Sequence, residues 1–500
     1  MSSPLRVELN ALLRLAGPLI ASQLAHMLML LTDTLMMARL SPEALAGGGL
    51  GAASYSFVSI FCIGVMAAVG TLVSMRHGAG DHAGAARLTQ AGLWLGWLLA
   101  ILGAVLLWNL GPVLLLLGQS PGNVAFAGQF LLLLPLAMPG NLSFMALRGF
   151  TSAVGRPGPV MVISIGATVV NYALNHAFIE GLYGLPRLGL TGIGMVTAVV
   201  STGMAILLAL HIGRHSAYDT YPIRQGLMRP SLAAIRELWR LGLPIGGTYA
   251  VEVGVFAFAA LCMGLLGSVP LAAHQIALQI VSVAFMVPAG MSYAVTLRIG
   301  RHYGADQWHT ARLAGRLGIG VGALIMLSFA LLFWLAPGPL VALMLNEQDP
   351  AFAPVVQVAL TLLAVAAWFE LFDGVQTIAM GAIRGLKDAR TTFLVGLFCY
   401  WVVGAPAAWL LAFHAGWGPT GIWWGLALGL ACSAIILTST FEWKMRRLIG
   451  QTPANASAVT GAASPATGAA SCSATSAPAP TAAPNPAAGT RRNCPEAEPY

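Results

Sequence analysis

Charge is what this sequence has least of. Only 8% of its 500 residues are Asp, Glu, Lys or Arg, against roughly 25% in soluble domains. Hydrophobic residues make up 57%, and the mean hydropathy is +0.78. A soluble chain of this length could not keep so much apolar surface from water. A soluble enzyme and a nucleic-acid binder are therefore excluded, and the solvent must largely be lipid. Cysteine is scarce too. Cys62, Cys262, Cys399 and Cys432 stand singly in apolar runs, and Cys472 and Cys494 lie near the C-terminus. Without CxxC or Cys/His spacing, neither a disulfide framework nor a structural metal site is expected. The sequence also lacks a Gly-rich phosphate loop and a His/Asp/Ser constellation, so neither an enzyme nor a cofactor is expected. Nor is a cleavable leader. The apolar run from Ala11 is long and shows no small-residue cleavage site after a short core, so it reads as the first membrane helix.

What is present is a series of apolar runs of the roughly 20 residues that span a bilayer. They cover about 11–37, 45–74, 88–118, 123–147, 158–180, 190–213, 237–262, 271–297, 314–337, 352–383, 392–415 and 421–442, which makes twelve. All but two of the 25 Lys and Arg (Arg39 and Arg187) fall at the termini or after even-numbered runs. The positive-inside rule then puts both termini in the cytoplasm, as expected for a multi-pass protein of a bacterial-type inner membrane. An internal repeat fits the same count. Arg14-Leu15 with Pro18 recurs as Arg240-Leu241 with Pro244. Arg76-His77, Asp81 and Ala86-Arg87 recur as Arg301-His302, Asp306 and Ala311-Arg312, while Arg148-Gly149 matches Arg384-Gly385. Six helices per half is an even number, so the halves enter from the same side as parallel repeats. The expected organisation is a six-helix lobe over 1–215, a cytoplasmic linker over 216–236, a second six-helix lobe over 237–447 and a disordered Ala/Pro/Ser/Thr-rich tail over 448–500.

A charge at a helix centre costs about 2.5–3.5 kcal/mol by insertion measurements, which makes intramembrane carboxylates functional candidates. Four remain once the loops are placed: Asp33 in helix 1, Glu252 in helix 7, and Glu370 and Asp373 in helix 10. On this placement no Lys or Arg accompanies them. Glu370 and Asp373 share a helix face at i, i+3, so the pair needs a proton or a cation between them. Gln376 and Thr377 extend that stripe with oxygen ligands, unless Glu370 faces a rim. Tyr249 lies one turn before Glu252, and the helix-bending Pro244 lies before that; Pro18 is its counterpart in helix 1. Asn171 and Asn175 share a face of helix 5. With Asp33 they form either a cation or proton relay or simple helix–helix glue. His26 and His176 also lie at depth, as relay or packing residues.

These residues carry a resemblance. Pro18, Asp33 and Asn171-Tyr172…Asn175, with Arg240-Leu241-Gly242-Leu243-Pro244, Glu252, Ala272-Ala273-His274-Gln275, Asp373-Gly374-Val375-Gln376 and Arg384-Gly385, are similar to the multidrug and toxic compound extrusion (MATE) family, NorM-like branch, over about 10–447. The resemblance implies an all-α membrane protein with twelve transmembrane helices in two pseudo-symmetric six-helix bundles around a V-shaped central cavity. It also implies a transporter, expected as a monomer in the lipid bilayer, that exports small cationic amphipaths against inward Na+ or H+. Glu252 and Asp373 would couple the cation as a candidate Na+ site. Asp33 with Asn171 and Asn175 would couple protons or substrate. His26 stands where relatives often have glutamine, and Phe369 where they have tyrosine; with Glu370, His26 tilts coupling towards protons. A lipid-linked oligosaccharide flippase of the same superfamily is the alternative. Its pyrophosphate substrate would call for buried Arg or Lys.

Overall fold

The computed structural model describes residues 4–181, 186–226, 231–344 and 353–451. The expected disorder of the tail concerns residues almost all outside that set, as do Arg229, Pro230, Cys472, Cys494, Arg491 and Arg492. The described chain contains twelve helices long and apolar enough to cross a membrane. In order they are α1 (Pro4–Leu40), α2 (Pro42–Gly78), α3 (His82–Trp108), α4 (Pro121–Ala153), α5 (Gly158–Glu180) and α6 (Gly189–Arg214). The second six are α7 (Leu232–Leu266), α8 (Ser268–Gly304), α9 (Trp308–Leu335), α10 (Ala353–Gly385), α11 (Ala389–His414) and α12 (Pro419–Gln451). All twelve apolar runs became helices. The third run ends early, at Trp108, and a separate short helix, Gly111–Leu116, follows with Pro112 in its first turn. α4 is interrupted by a 3-10 turn at Leu134–Leu136, where Pro135 removes a backbone donor.

Several helices outrun the bilayer. A 37-residue helix such as α2 or α8 spans about 55 Å at 1.5 Å per residue, against about 30 Å of hydrocarbon. The overhangs carry the basic residues, so Arg76, Arg298 and Arg301 are helical where the sequence suggested loops. Starts are fixed by side-chain caps. The Ser41 hydroxyl accepts from the Ala44 N–H at 3.0 Å, with Pro42 opening α2. The Asp81 carboxylate accepts from the Gly84 N–H at 2.7 Å, opening α3. Outward faces are apolar. Leu98, Ile101, Leu102 and Val105 of α3 are all at least half exposed, as expected of side chains that meet lipid tails.

The halves meet chiefly along α2. Gly78 lies against the carbonyl of Arg301 on α8, and Gly304 lies reciprocally against the carbonyl of Met75 on α2. A Cβ at either position would strike backbone, so the close approach requires glycine. Higher on the same helix, Gly64 faces Gly246 of α7. Ion pairs gather at this basic end. Arg298 donates to both oxygens of Glu8 at 2.9 and 2.5 Å, and His302 stands 3.3 Å from Glu8. Lys387 pairs with Glu237 at 2.6 Å, and Arg312 and Arg316 both hold Glu442. Asp388, the α11 cap, is paired with Lys444 at 2.6 Å. Burial acts to raise its carboxyl, but hydrogen bonds from Lys444 and Thr391 outweigh that and hold it below the usual range.

Buried apolar side chains form two clusters. The larger runs from Leu12 to Tyr221 and continues through Leu238, Ile245, Leu297, Ile383 and Met445, joining both halves at the basic end. The second, from Val255 to Leu430, belongs to the second half alone.

Candidate functional site

Apart from Glu8 at the basic end, the buried carboxylates among the described residues fall in two places, one in each half. In the first half α1, α5 and α6 converge on Asp33. Its Oδ1 accepts from Asn171 Nδ2 at 3.2 Å and from Asn175 Nδ2 at 2.7 Å. Its Oδ2 accepts from Thr197 Oγ1 at 3.1 Å. Asn175 Nδ2 also reaches Asn171 Oδ1 at 3.3 Å, which gives the i, i+4 amides a common orientation. Both asparagines are fully buried. The sequence grouped Asp33, Asn171 and Asn175 correctly. It missed Thr197, because threonine is unremarkable in an apolar helix.

His26 belongs elsewhere. It lies two turns before Asp33 on α1, about 10 Å along the axis, and lines a small cavity with Ser22, Asn141, Arg148, Thr168 and Ser201. His176 is partly exposed, stacked on Tyr172 and 3.2 Å from Glu180.

In the second half α10 presents a polar stripe. Glu370 is fully buried and Asp373 nearly so, so Glu370 does not face a rim. Neither Glu370 oxygen has a hydrogen-bond partner. Asp373 accepts a long bond from Thr377 Oγ1 at 3.4 Å. An ionised carboxylate in such surroundings has little to offset its desolvation, so the stripe needs a proton or a cation. Gln376 Oε1 accepts from the Tyr400 hydroxyl of α11 at 2.6 Å. Glu252 lines a neighbouring pocket with Val255, Phe256, Phe369, Tyr400 and Gly404.

Phe369 itself is clamped edge-on by Phe256 and Trp423 at centroid distances of 6.1 and 5.3 Å. Tyr400 of α11 lines the same pocket, with its hydroxyl donated to Gln376. Tyr400 sits in a π-helical stretch, Phe398–Gly404, which an apolar periodicity does not reveal. Among the described residues no three His, Cys, Asp or Glu side chains converge on one ion. A cation held by Glu252 and Asp373 would therefore need neutral oxygens such as those of Tyr400 and Thr377.

One expectation is overturned. Two guanidinium groups are buried among the helices. Arg148 and Arg384 lie inside α4 and α10, at 8% and 7% exposure, not in loops. Each ends an apolar run, which the sequence reading took for the start of a loop, yet the helix continues past both. Arg384 donates to the Tyr249 hydroxyl at 3.3 Å and lies 5.0 Å from that ring's centroid. Tyr249 is thus the link between Arg384 and the turn that carries Glu252.

Pro18 and Pro244 both lie inside continuous helices, α1 and α7. Proline leaves the carbonyl four residues earlier without its helical donor, which permits a bend there.

Comparison with known proteins follows the same residues. A family model described as MatE matches residues 18–176 and 244–410, one stretch in each half. A protein of Pseudomonas putida named "Probable multidrug resistance protein NorM" is 72% identical over 444 residues, covering 89% of this chain and 96% of its own. A protein of Burkholderia vietnamiensis named "Multidrug resistance protein NorM" is 39% identical over 439 residues, covering 87% of this chain and 94% of its own. A solved structure described as the outward-facing conformation of a multidrug resistance MATE family transporter superposes with a TM-score of 0.80 at 18% identity, covering 90% of this chain and 99% of that one.

Proposed function

The chain belongs to the MATE family, in its NorM-like branch, and from that premise we propose that it exports cationic amphipathic compounds by secondary antiport against inward Na+ or H+. One observation carries the reading: each half buries a carboxylate site, Asp33 on α1 in the first and Glu370 with Asp373 on α10 in the second, and both helices pack on α8. Carboxylates of this kind attract organic cations and can also hold H+ or Na+, so drug and ion compete for them. Coupling requires that the ion favour the state that binds drug poorly. The shared core at the basic end, and the separate second-half cluster away from it, support a molecule closed on the cytoplasmic side. Rocking of the halves about α2 and α8 would then open the other access. On this reading both termini are cytoplasmic, the protein works as a monomer in the inner membrane, and no cofactor takes part besides the coupling ion.

Glu252 and Asp373, with Tyr400 and Thr377, are the proposed cation site, and Asp33 with Asn171, Asn175 and Thr197 is the second coupling or substrate site. Buried Arg148 and Arg384 remove the main argument against a lipid-linked oligosaccharide flippase. What favours efflux is the pair of acidic sites and the name of the relatives. The test is accumulation of a fluorescent cationic dye in cells that express the chain. Expression should lower accumulation, and Asp373→Asn should restore it; full export by that variant would contradict the role given to Asp373.

A further inference from the structure

The internal repeat gives the two buried arginines corresponding neighbours that differ in identity. Gln23 and His26 of α1 correspond to Tyr249 and Glu252 of α7, as Pro18 corresponds to Pro244. Arg384 donates to the Tyr249 hydroxyl at 3.3 Å. Arg148 donates to Gln23 Oε1 at 2.9 Å and lines one cavity with His26, at the position where the repeat has the carboxylate Glu252. Among the described residues no carboxylate pairs with Arg148. Its Nε–H is buried without an acceptor. The Tyr293 ring stands 5.4 Å from the guanidinium, but a ring face offers a quadrupole and no counter-charge.

A buried, unpaired ion costs several kcal/mol. Arg148 also lines the cavity described above, whose remaining polar wall is His26, Asn141 and the hydroxyls of Ser22, Ser164, Thr168 and Ser201; Ser22 and Ser164 share a hydrogen bond at 2.8 Å, and Thr168 donates to the Ala25 carbonyl at 2.8 Å. The cavity has room for about one guest the size of a water, for which roughly 10–15 Å³ suffices. The Arg148 guanidinium with the Ser201 hydroxyl and the Asn141 amide around so small a space are the recognition chemistry of an anion.

We propose that the first-half cavity beneath Asp33 is a binding site for one small monovalent anion, such as chloride, which serves as counter-ion to Arg148. The site lies apart from both carboxylate sites and stands whether or not the antiport reading does.

The test uses the full-length protein, purified in detergent, at constant sodium concentration. Chloride is exchanged for gluconate, which is too large for the cavity. The thermal unfolding midpoint and the binding of radiolabelled chloride are read in the same samples. The expected result is a saturable, chloride-dependent rise in midpoint of several degrees, with about one chloride bound per chain. Arg148→Gln should lose both. If that variant does not fold, Gln23→Glu decides alone. It places a carboxylate at an existing 2.9 Å contact, so it should fold in gluconate as stably as the unaltered chain does in chloride and bind no chloride. No chloride dependence in the unaltered protein, or the same dependence in Gln23→Glu, would overturn the proposal.

Discussion

Replacing Asp33 by alanine removes the acceptor on which three helices converge, and the structure sets the size of the effect. Thr197 keeps its bond to the Ile193 carbonyl at 3.1 Å, and Asn175 keeps Asn171 Oδ1 at 3.3 Å. Asn171 Nδ2 keeps nothing, because its bond goes to Asp33 alone. One stranded, fully buried amide costs about 1–3 kcal/mol, and the lost charge-assisted bonds add to it, so about 2–5 kcal/mol in all is expected. Asp33→Asn retains an acceptor oxygen in the same place and should lose less than half as much. Scanning fluorimetry of the detergent-solubilised proteins reads both as midpoint shifts. Export should fail in both variants, because the titratable group is gone from each. An Asp33→Ala protein as stable as the unaltered chain, or one more stable than Asp33→Asn, would refute the hydrogen-bond account.

Three further outcomes are expected. Glu8→Ala removes the partner of Arg298 in a largely buried pair and strands the guanidinium, at a cost of about 3–5 kcal/mol; it should destabilise the closed basic end, read as faster thiol labelling of a cysteine introduced at Ser74. Gly304→Val puts a side chain into the Met75 carbonyl and should separate α2 from α8, read as a longer spin-label distance between them. Asp388 is held below its ordinary range by Lys444 and Thr391. Its contribution to stability should therefore be present above its ordinary value of 3.8 and be lost as pH falls below it. Asp388→Asn should flatten that part of the stability–pH curve.

Most of the fold was legible because lipid imposes a simple rule: each crossing must be long, apolar and helical. The acids were legible for the complementary reason, since Asp33, Glu252, Glu370 and Asp373 stand out in apolar runs. What escaped were partners whose identity depends on tertiary packing. Thr197 and Tyr400 look ordinary in α6 and α11 until their hydroxyls meet Asp33 and Gln376. Arg148 and Arg384 escaped because a charge that ends an apolar run looks like the start of a loop. The helix continues for several residues past Arg148 and for one past Arg384, and the packing buries both side chains.

The most direct test of ion-coupled export is dye transport in proteoliposomes, first under a sodium gradient alone and then under a proton gradient alone. The account predicts that at least one gradient drives the dye against its concentration, and that Asp373→Asn abolishes this movement. Transport that neither gradient drives, or that Asp373→Asn leaves undiminished, would contradict it.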